Sequence, residues 1–337
     1  MKNNKQQEIS KKESLNDDSL LSIQGAISRQ QIFNRIMPFV FFFSLILLIG
    51  IFRPSFLSLY TLRVLAEESS MIMLLSTALT LVILLGGIDL SIAANASLMS
   101  VLLMVWLPRY GWLGLLMGLM VTTGIGFVLG FIKSKSQVPS FIVTLAGQAI
   151  IIGGAMMITT RTFYVVEGYE VVGWIFDRTF GIPNSFIIPI VIILLLIFLM
   201  KRTSFGRYIY AIGLSESTAI MSGIKVEKIR IIIYTLSGLI AGITGTLLVA
   251  RSHSGNYNSV NFLLLPSIAA VVIGGTSITG GIGDLGRTII GVFSIVIMRV
   301  GIAIIGVDPG YEPLAYGILI IVAVALTIDR SRMKIVK

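Results

Sequence analysis

The sequence predicts an all-α, polytopic membrane bundle of about ten helices, and three observations predict it. Hydrophobic residues make up 55% of the 337 and charged residues 12%, with a mean hydropathy of +0.94, whereas a soluble domain carries roughly a quarter charged residues. Apolar runs of about membrane-crossing length recur along the chain, separated by charged or Pro/Gly punctuation. Lysine and arginine collect on one side when those runs are taken as alternating crossings. The composition also excludes chemistry. With no cysteine and one histidine, His253, the chain offers no disulfide, thiolate site, cysteine nucleophile or histidine-rich metal centre. The formal charge of +10 is read as membrane topology and not as a nucleic-acid footprint.

Residues 1–35 are polar and mixed in charge, and are expected to form a cytoplasmic tail. Ile36 to Phe52 is the first span; the long polar stretch before it and the lack of a small-residue cleavage site after it argue against a cleaved signal peptide. Further spans are expected at about Ser69 to Gly86, Ile92 to Leu107, Trp112 to Ile132, Val138 to Thr160, Phe186 to Met200, Ile231 to Ala250, Leu263 to Gly275, Thr288 to Gly306 and Leu314 to Ile328. The membrane domain is thus 36–328, and 329–337 is a basic cytoplasmic tail. Ile92 to Leu107 and Leu263 to Gly275 fall short of the roughly 17–25 residues of a crossing helix, so each is expected to be broken or re-entrant. With a cytoplasmic N-terminus, Arg53, Arg63, Arg109, Arg161, Arg178 and Arg251 fall outside and Arg299 lies within a span. The remaining nineteen of the 26 cations fall inside, as the positive-inside rule requires. Trp106, Trp112 and Trp174 land on the outer side, where aromatic belts form.

Two stretches are not simple lipid-soluble helix. The cytoplasmic loop Lys201 to Arg230 is patterned: Ser215 can cap a helix of at most two turns with Glu216 in its first turn, and Gly223 stands where a left-handed C-terminal residue belongs. Tyr208, Tyr210, Ile212, Ile220, Met221 and Ile224 form an apolar set between Arg207 and Lys225, which either docks on a partner or rests on the inner leaflet. The second feature is a pair of glycine-rich breaks, Leu84 to Ser91 and Ile273 to Asp284. Backbone groups freed there must be buried in protein or line a wet cavity. Interrupted segments in the two halves of a chain point to a transport pathway; ordinary inner-face turns are the alternative. The candidate pathway residues are Gly86, Gly87, Asp89, Ser91, Asn95, Gln148, Gly274, Gly275, Thr276 and Arg299. Arg299 sits deep enough in its span to face a cavity or counter-ion, or else snorkels outward. Hydroxyls in runs such as Ser237 to Gly245 read as helix-packing groups, and Glu67 and Glu68 as interfacial.

An ordered set of stretches resembles the permease subunits of ATP-binding-cassette importers for simple sugars, of the ribose, xylose and galactose type. These are GGIDLS (Gly86 to Ser91), VPSFIVTLA (Val138 to Ala146), TSFGRYIYAIG (Thr203 to Gly213), AIMSGI (Ala219 to Ile224), YTLSGLIAGITG (Tyr234 to Gly245) and PSIAAVVIGGTSITGGIG (Pro266 to Gly283). The resemblance implies a type II importer-like bundle with broken helices in the cytoplasmic membrane of a prokaryote, both termini cytoplasmic. It also implies a second permease copy or paralogue, ATPase subunits that carry ATP and magnesium, and an extracytoplasmic sugar-binding protein, with lipid around it and no nucleic acid. The loop after Thr203 would then be the ATPase-coupling segment; Gly206, Arg207, Gly213 and Gly223 match the family's pattern, and Ser215 and Glu216 occupy the adjoining variable stretch. The chain departs from the family at Ile92 and Ala93, where a valine-glycine pair is common, and at Arg287 and Arg299. It has no Walker A loop, so no cofactor is expected in this chain and it is not expected to be an enzyme. The rival reading is a stand-alone ion-coupled transporter with Asp89 or Arg299 as coupling group.

Overall fold

The computed structural model describes residues 36–164, 167–306 and 308–327; the expected tails at 1–35 and 329–337 lie outside the described residues. The fold is a polytopic helical bundle. Its helices are α1 (Ile36–Phe52), α2 (Leu59–Leu84), α3 (Ile92–Tyr110), α4 (Trp112–Lys135), α5 (Ser140–Ile158) and α6 (Asn184–Arg202), followed by α7 (Ser204–Leu214), α8 (Glu216–Met221), α9 (Val226–Ser252), α10 (Leu264–Ile273), α11 (Leu285–Ile305) and α12 (Glu312–Thr327). Seven of these, α2 to α6, α9 and α11, are long and apolar enough to cross a membrane; α1, α10 and α12 are shorter apolar helices.

Several boundaries differ from the sequence expectation by a few residues, α9 among them, which begins at Val226 and not Ile231; two differ for an identifiable local reason. Helix α2 begins ten residues earlier because the Ser58 hydroxyl accepts the Thr61 N–H at 3.2 Å and caps it. Glu67 and Glu68 therefore lie within the helix and not at its end. Helix α3 continues through Pro108 to Tyr110, giving 19 residues, so this segment is long enough to cross and is not the broken one. Its stop is Gly111, with φ +50°. The other short segment is short as expected: α10 has ten residues, about 15 Å of helix.

The core is one continuous cluster in which two sets of helices pack closely and α2 also lies along α9. In the first, α9 lies against α4 and α3 through glycines that let backbones touch. A Cβ on Gly238 would stand 3.0 Å from Gly126 Cα, and one on Gly245 would stand 2.6 Å from Met99 Cβ. In the second, α2, α10 and α11 pack together. The Ser76 hydroxyl donates to the Ser267 carbonyl at 3.2 Å, and the Thr80 and Thr288 hydroxyls share a hydrogen bond of 2.9 Å. Residues Ile72 to Leu75 of α2 are wholly buried, which places this helix at the centre. Leu47, Ile150 and Leu194, on α1, α5 and α6, are exposed on the surface that lipid covers.

Beyond the last turn of α9, Phe163–Tyr164 pairs antiparallel with Ser254–Gly255, and Tyr169 stacks on His253 with ring centres 3.8 Å apart. His253 ends α9 in the left-handed region, so the lone histidine is a helix-capping surface residue.

Candidate functional site

The segment after α6, expected on the inner face, folds as two helices. Thr203 ends α6 in extended conformation and α7 starts at once, with Gly206 packed against the Met200 backbone. Ser215 caps α8, its hydroxyl accepting the Thr218 N–H at 3.3 Å, and Gly223 follows with φ +79°. The cap, the short helix and the left-handed glycine stand where the sequence indicated. The 11-residue α7 was not anticipated; its glycine at each end hides a period that its buried Ile209 and Ile212 carry. Tyr208, Leu214, Ile220 and Met221 remain exposed together with Arg207, so the apolar set divides into a face turned to the bundle and a face left uncovered.

Glycines bring α7 directly onto both breaks. A Cβ on Gly213 would overlap the Leu84 carbonyl oxygen and the Gly281 nitrogen, and one on Gly280 would stand 2.8 Å from Gly86 Cα. The Gly281 N–H donates to the Leu84 carbonyl at 2.9 Å. Nearby, the Tyr210 hydroxyl donates to the Gly283 carbonyl at 3.1 Å. Burial first, and then the Asp284 carboxylate, push the Tyr210 phenol above its ordinary range, so it stays protonated and keeps donating. Glu216 on α8 holds Arg230 of α9 at 2.8 Å, with the arginine buried and the carboxylate half exposed. Gly213 and Tyr210 of α7 and the glycines of both breaks, whose first glycine pairs are 188 residues apart in sequence, therefore form one contact region, whereas Gly206, Arg207, Ser215, Glu216 and Gly223 lie outside it.

From Gly87 the chain climbs into the bundle without helix, and its backbone is satisfied by side chains of other elements. The Ile88 N–H donates to the Ser140 hydroxyl at 3.0 Å and the Leu90 N–H to the Thr144 hydroxyl at 3.1 Å. Asp89 is 3% exposed. One carboxylate oxygen accepts the Ser91 N–H and hydroxyl at 3.0 and 2.6 Å, and the other accepts the Ser237 hydroxyl at 2.7 Å. A buried carboxylate needs several such donors. Sequence reasoning placed Ser237 among packing hydroxyls; its role as the partner of Asp89, 148 residues away, has no local signal.

Other candidates are scattered. Asn95 donates to the Thr122 carbonyl at 3.0 Å, leaving its own oxygen buried and unpartnered. Thr276 is likewise buried without a partner, beside Gly283. Gly274 packs on Thr288, and Gly275 turns the chain with φ +77°. Gln148 is half-buried on α5, one helical turn beyond Thr144. Arg299 is distant from this region, toward the Ser252 end of α9, 3.3 Å from Glu68 and 3.3 Å from Glu312. It is neutralised by neighbouring helices. Glu68, which sequence reasoning left as interfacial, also pairs with Arg251.

Comparison with known proteins adds to this geometry. Residues 62–324 match the family described as branched-chain amino acid transport system / permease component. The chain is similar to the ribose import permease protein RbsC of Bacillus subtilis, 33% identical over 94% of this chain and 98% of that one. It is also similar to the fructose import permease protein FrcC of Rhizobium meliloti, 34% identical over 80% of this chain and 78% of that one. A third relative, the probable ABC transporter permease protein YphD of Escherichia coli, is 33% identical over 91% and 93%.

Proposed function

We propose, from the premise that this chain belongs to the family of transport-system permease components, that it is the membrane subunit of an ATP-binding-cassette importer. Its cargo is a monosaccharide of the pentose or hexose class. Relatives that match 94% and 80% of this chain are named for ribose and fructose import, which supports the sugar. The observation that carries the mechanism is the seating of α7 on both glycine breaks through Gly213, Leu84 and Gly281.

In this reading the uncovered face of α7 and α8 docks on a separate ATPase subunit, which supplies ATP and magnesium, so this chain performs no chemistry of its own. Both termini lie in the cytoplasm and the outer loops meet an extracytoplasmic sugar-binding protein. A second copy or a paralogue completes the membrane unit, surrounded by lipid. When the ATPases close, α7 shifts. Its backbone contacts pass that shift to the inner end of α2 and to the loop before α11, biasing two packings of the bundle. Sugars are neutral and rich in hydroxyls, so the path needs donors and acceptors such as Asn95, Ser91 and Thr276 and no free charge.

The test is co-reconstitution in liposomes with the ATPase and the sugar-binding protein, following uptake of radiolabelled ribose and fructose. Uptake of at least one sugar should require both ATP and the ATPase subunit. Uptake by this chain alone, driven by a proton or sodium gradient, would overturn the proposal.

A further inference from the structure

Four charged side chains that the mechanism above does not use meet near the outer face, on four different helices. Glu68 of α2 pairs closely with Arg251 of α9 and, through its other oxygen, with Arg299 of α11 at 3.3 Å. Arg299 also reaches Glu312 of α12 at 3.3 Å and lies 5.7 Å from the Phe262 ring centre. Glu312 in turn accepts the Tyr316 hydroxyl at 3.1 Å. The two carboxylates are 17% and 15% exposed. Carboxylates so far from water persist only when neutralised.

The pairing is lopsided. Arg299 is held by two carboxylates and is 26% exposed, whereas Arg251 stands in the last turn of α9, pairs with Glu68 and is 35% exposed. The Glu68–Arg251 pair is thus the more solvated of the two and joins Glu68 to a helix end. Moreover, Glu68 lies 16 residues, roughly 24 Å of helix, from Leu84 on the same buried rod. Leu84 is the residue that Gly213 and Gly281 touch.

The geometry points to an outer latch. The Glu68–Arg251 pair closes the outer end of the bundle in this conformation and separates when that end opens. Arg299, backed by Glu312, stays on Glu68 so that its carboxylate is never left bare, which gives the intramembrane arginine its role. The latch rests on the transport reading above, because it needs a bundle that opens outward. Both pair members are shared through α2 and α9 with the inner contact region, so tilting of either helix against the other loads the pair directly.

The absence of native cysteines makes the test clean. In the importer reconstituted with its ATPase and binding-protein partners, Glu68→Cys with Arg251→Cys is treated with a short reducible bis-methanethiosulfonate, and free thiols are counted by polymer-maleimide shift. Linkage should cut ribose or fructose uptake more than tenfold, with recovery on reduction. Efficient linkage with unchanged uptake, or failure of the two thiols to link at all, would overturn the latch. A reduced, unlinked variant lacking ATP-dependent uptake while the parent shows it leaves the second arm to decide. That arm needs no transport: Ser69→Cys, buried beside Glu68, is labelled from outside with an impermeant maleimide. Adding Arg251→Gln should raise its labelling rate about fivefold, the change in open population that a partly exposed ion pair supports. An unchanged rate would refute the latch. Failure of the transport reading itself would show differently, as absence of ATP-dependent uptake in the parent protein.

Discussion

Replacing Gly213 by alanine adds a single methyl group where α7 meets both breaks. That Cβ would stand 2.9 Å from Gly281 Cα, about half an ångström inside the 3.4 Å at which ordinary contact begins, and closer still to the Leu84 oxygen and Gly281 nitrogen. All three are backbone atoms, which cannot rotate away as a side-chain tip would. Helix α7 must retreat by more than about half an ångström or the Gly281–Leu84 hydrogen bond must break. Overpacking of this kind costs about 1–3 kcal/mol, drawn from one contact region and not from the whole bundle. Gly213→Ala should therefore insert in the membrane and purify normally, yet lose most ATP-dependent uptake in proteoliposomes. Gly223→Ala is the internal comparison: with φ +79° and nothing within 4 Å, it pays only left-handed strain of about 1–2 kcal/mol and should keep most uptake. Equal uptake by Gly213→Ala and the parent protein would refute the idea that this contact transmits motion.

Other substitutions test neighbouring links. Ser237→Ala removes one hydrogen bond to the buried Asp89 carboxylate and should cost about 1.5–3 kcal/mol, read as a lower melting temperature in detergent. Glu216→Ala leaves Arg230 without its 2.8 Å partner. Since Glu216 is half exposed and water reaches the pair, the cost should be about 1 kcal/mol, with faster proteolysis of the α7–α8 segment in inside-out vesicles as the readout. Gly245→Ala drives a methyl to 2.6 Å from Met99 Cβ and should destabilise the α3–α9 packing by about 1–3 kcal/mol, again by thermal melting.

The helices were legible because membrane-crossing length and apolar composition are local properties; all ten expected apolar segments appear as helices, with several ends shifted. Ser58 moved the start of α2, and α3 runs two residues past Pro108 to Gly111. The Ser215 cap and Gly223 turn were readable for the same reason. Gly213 could be singled out through the family pattern, but its meeting with Leu84 and Gly281 depends on how distant helices pack. Asp89 with Ser237, and Glu68 with Arg251, join residues 148 and 183 positions apart. Opposite charges at outer helix ends were visible in the sequence, but nothing local says which helices stand side by side.

The central claim is that α7 and α8 form a cytoplasmic lever for another subunit. Its most direct test uses a single cysteine, Ser217→Cys, on exposed α8 of this cysteine-free chain. An impermeant maleimide should label it in inside-out vesicles and not in right-side-out ones, and the added ATPase subunit should protect it. Labelling from the outer side, or full labelling with the ATPase bound, would contradict the account.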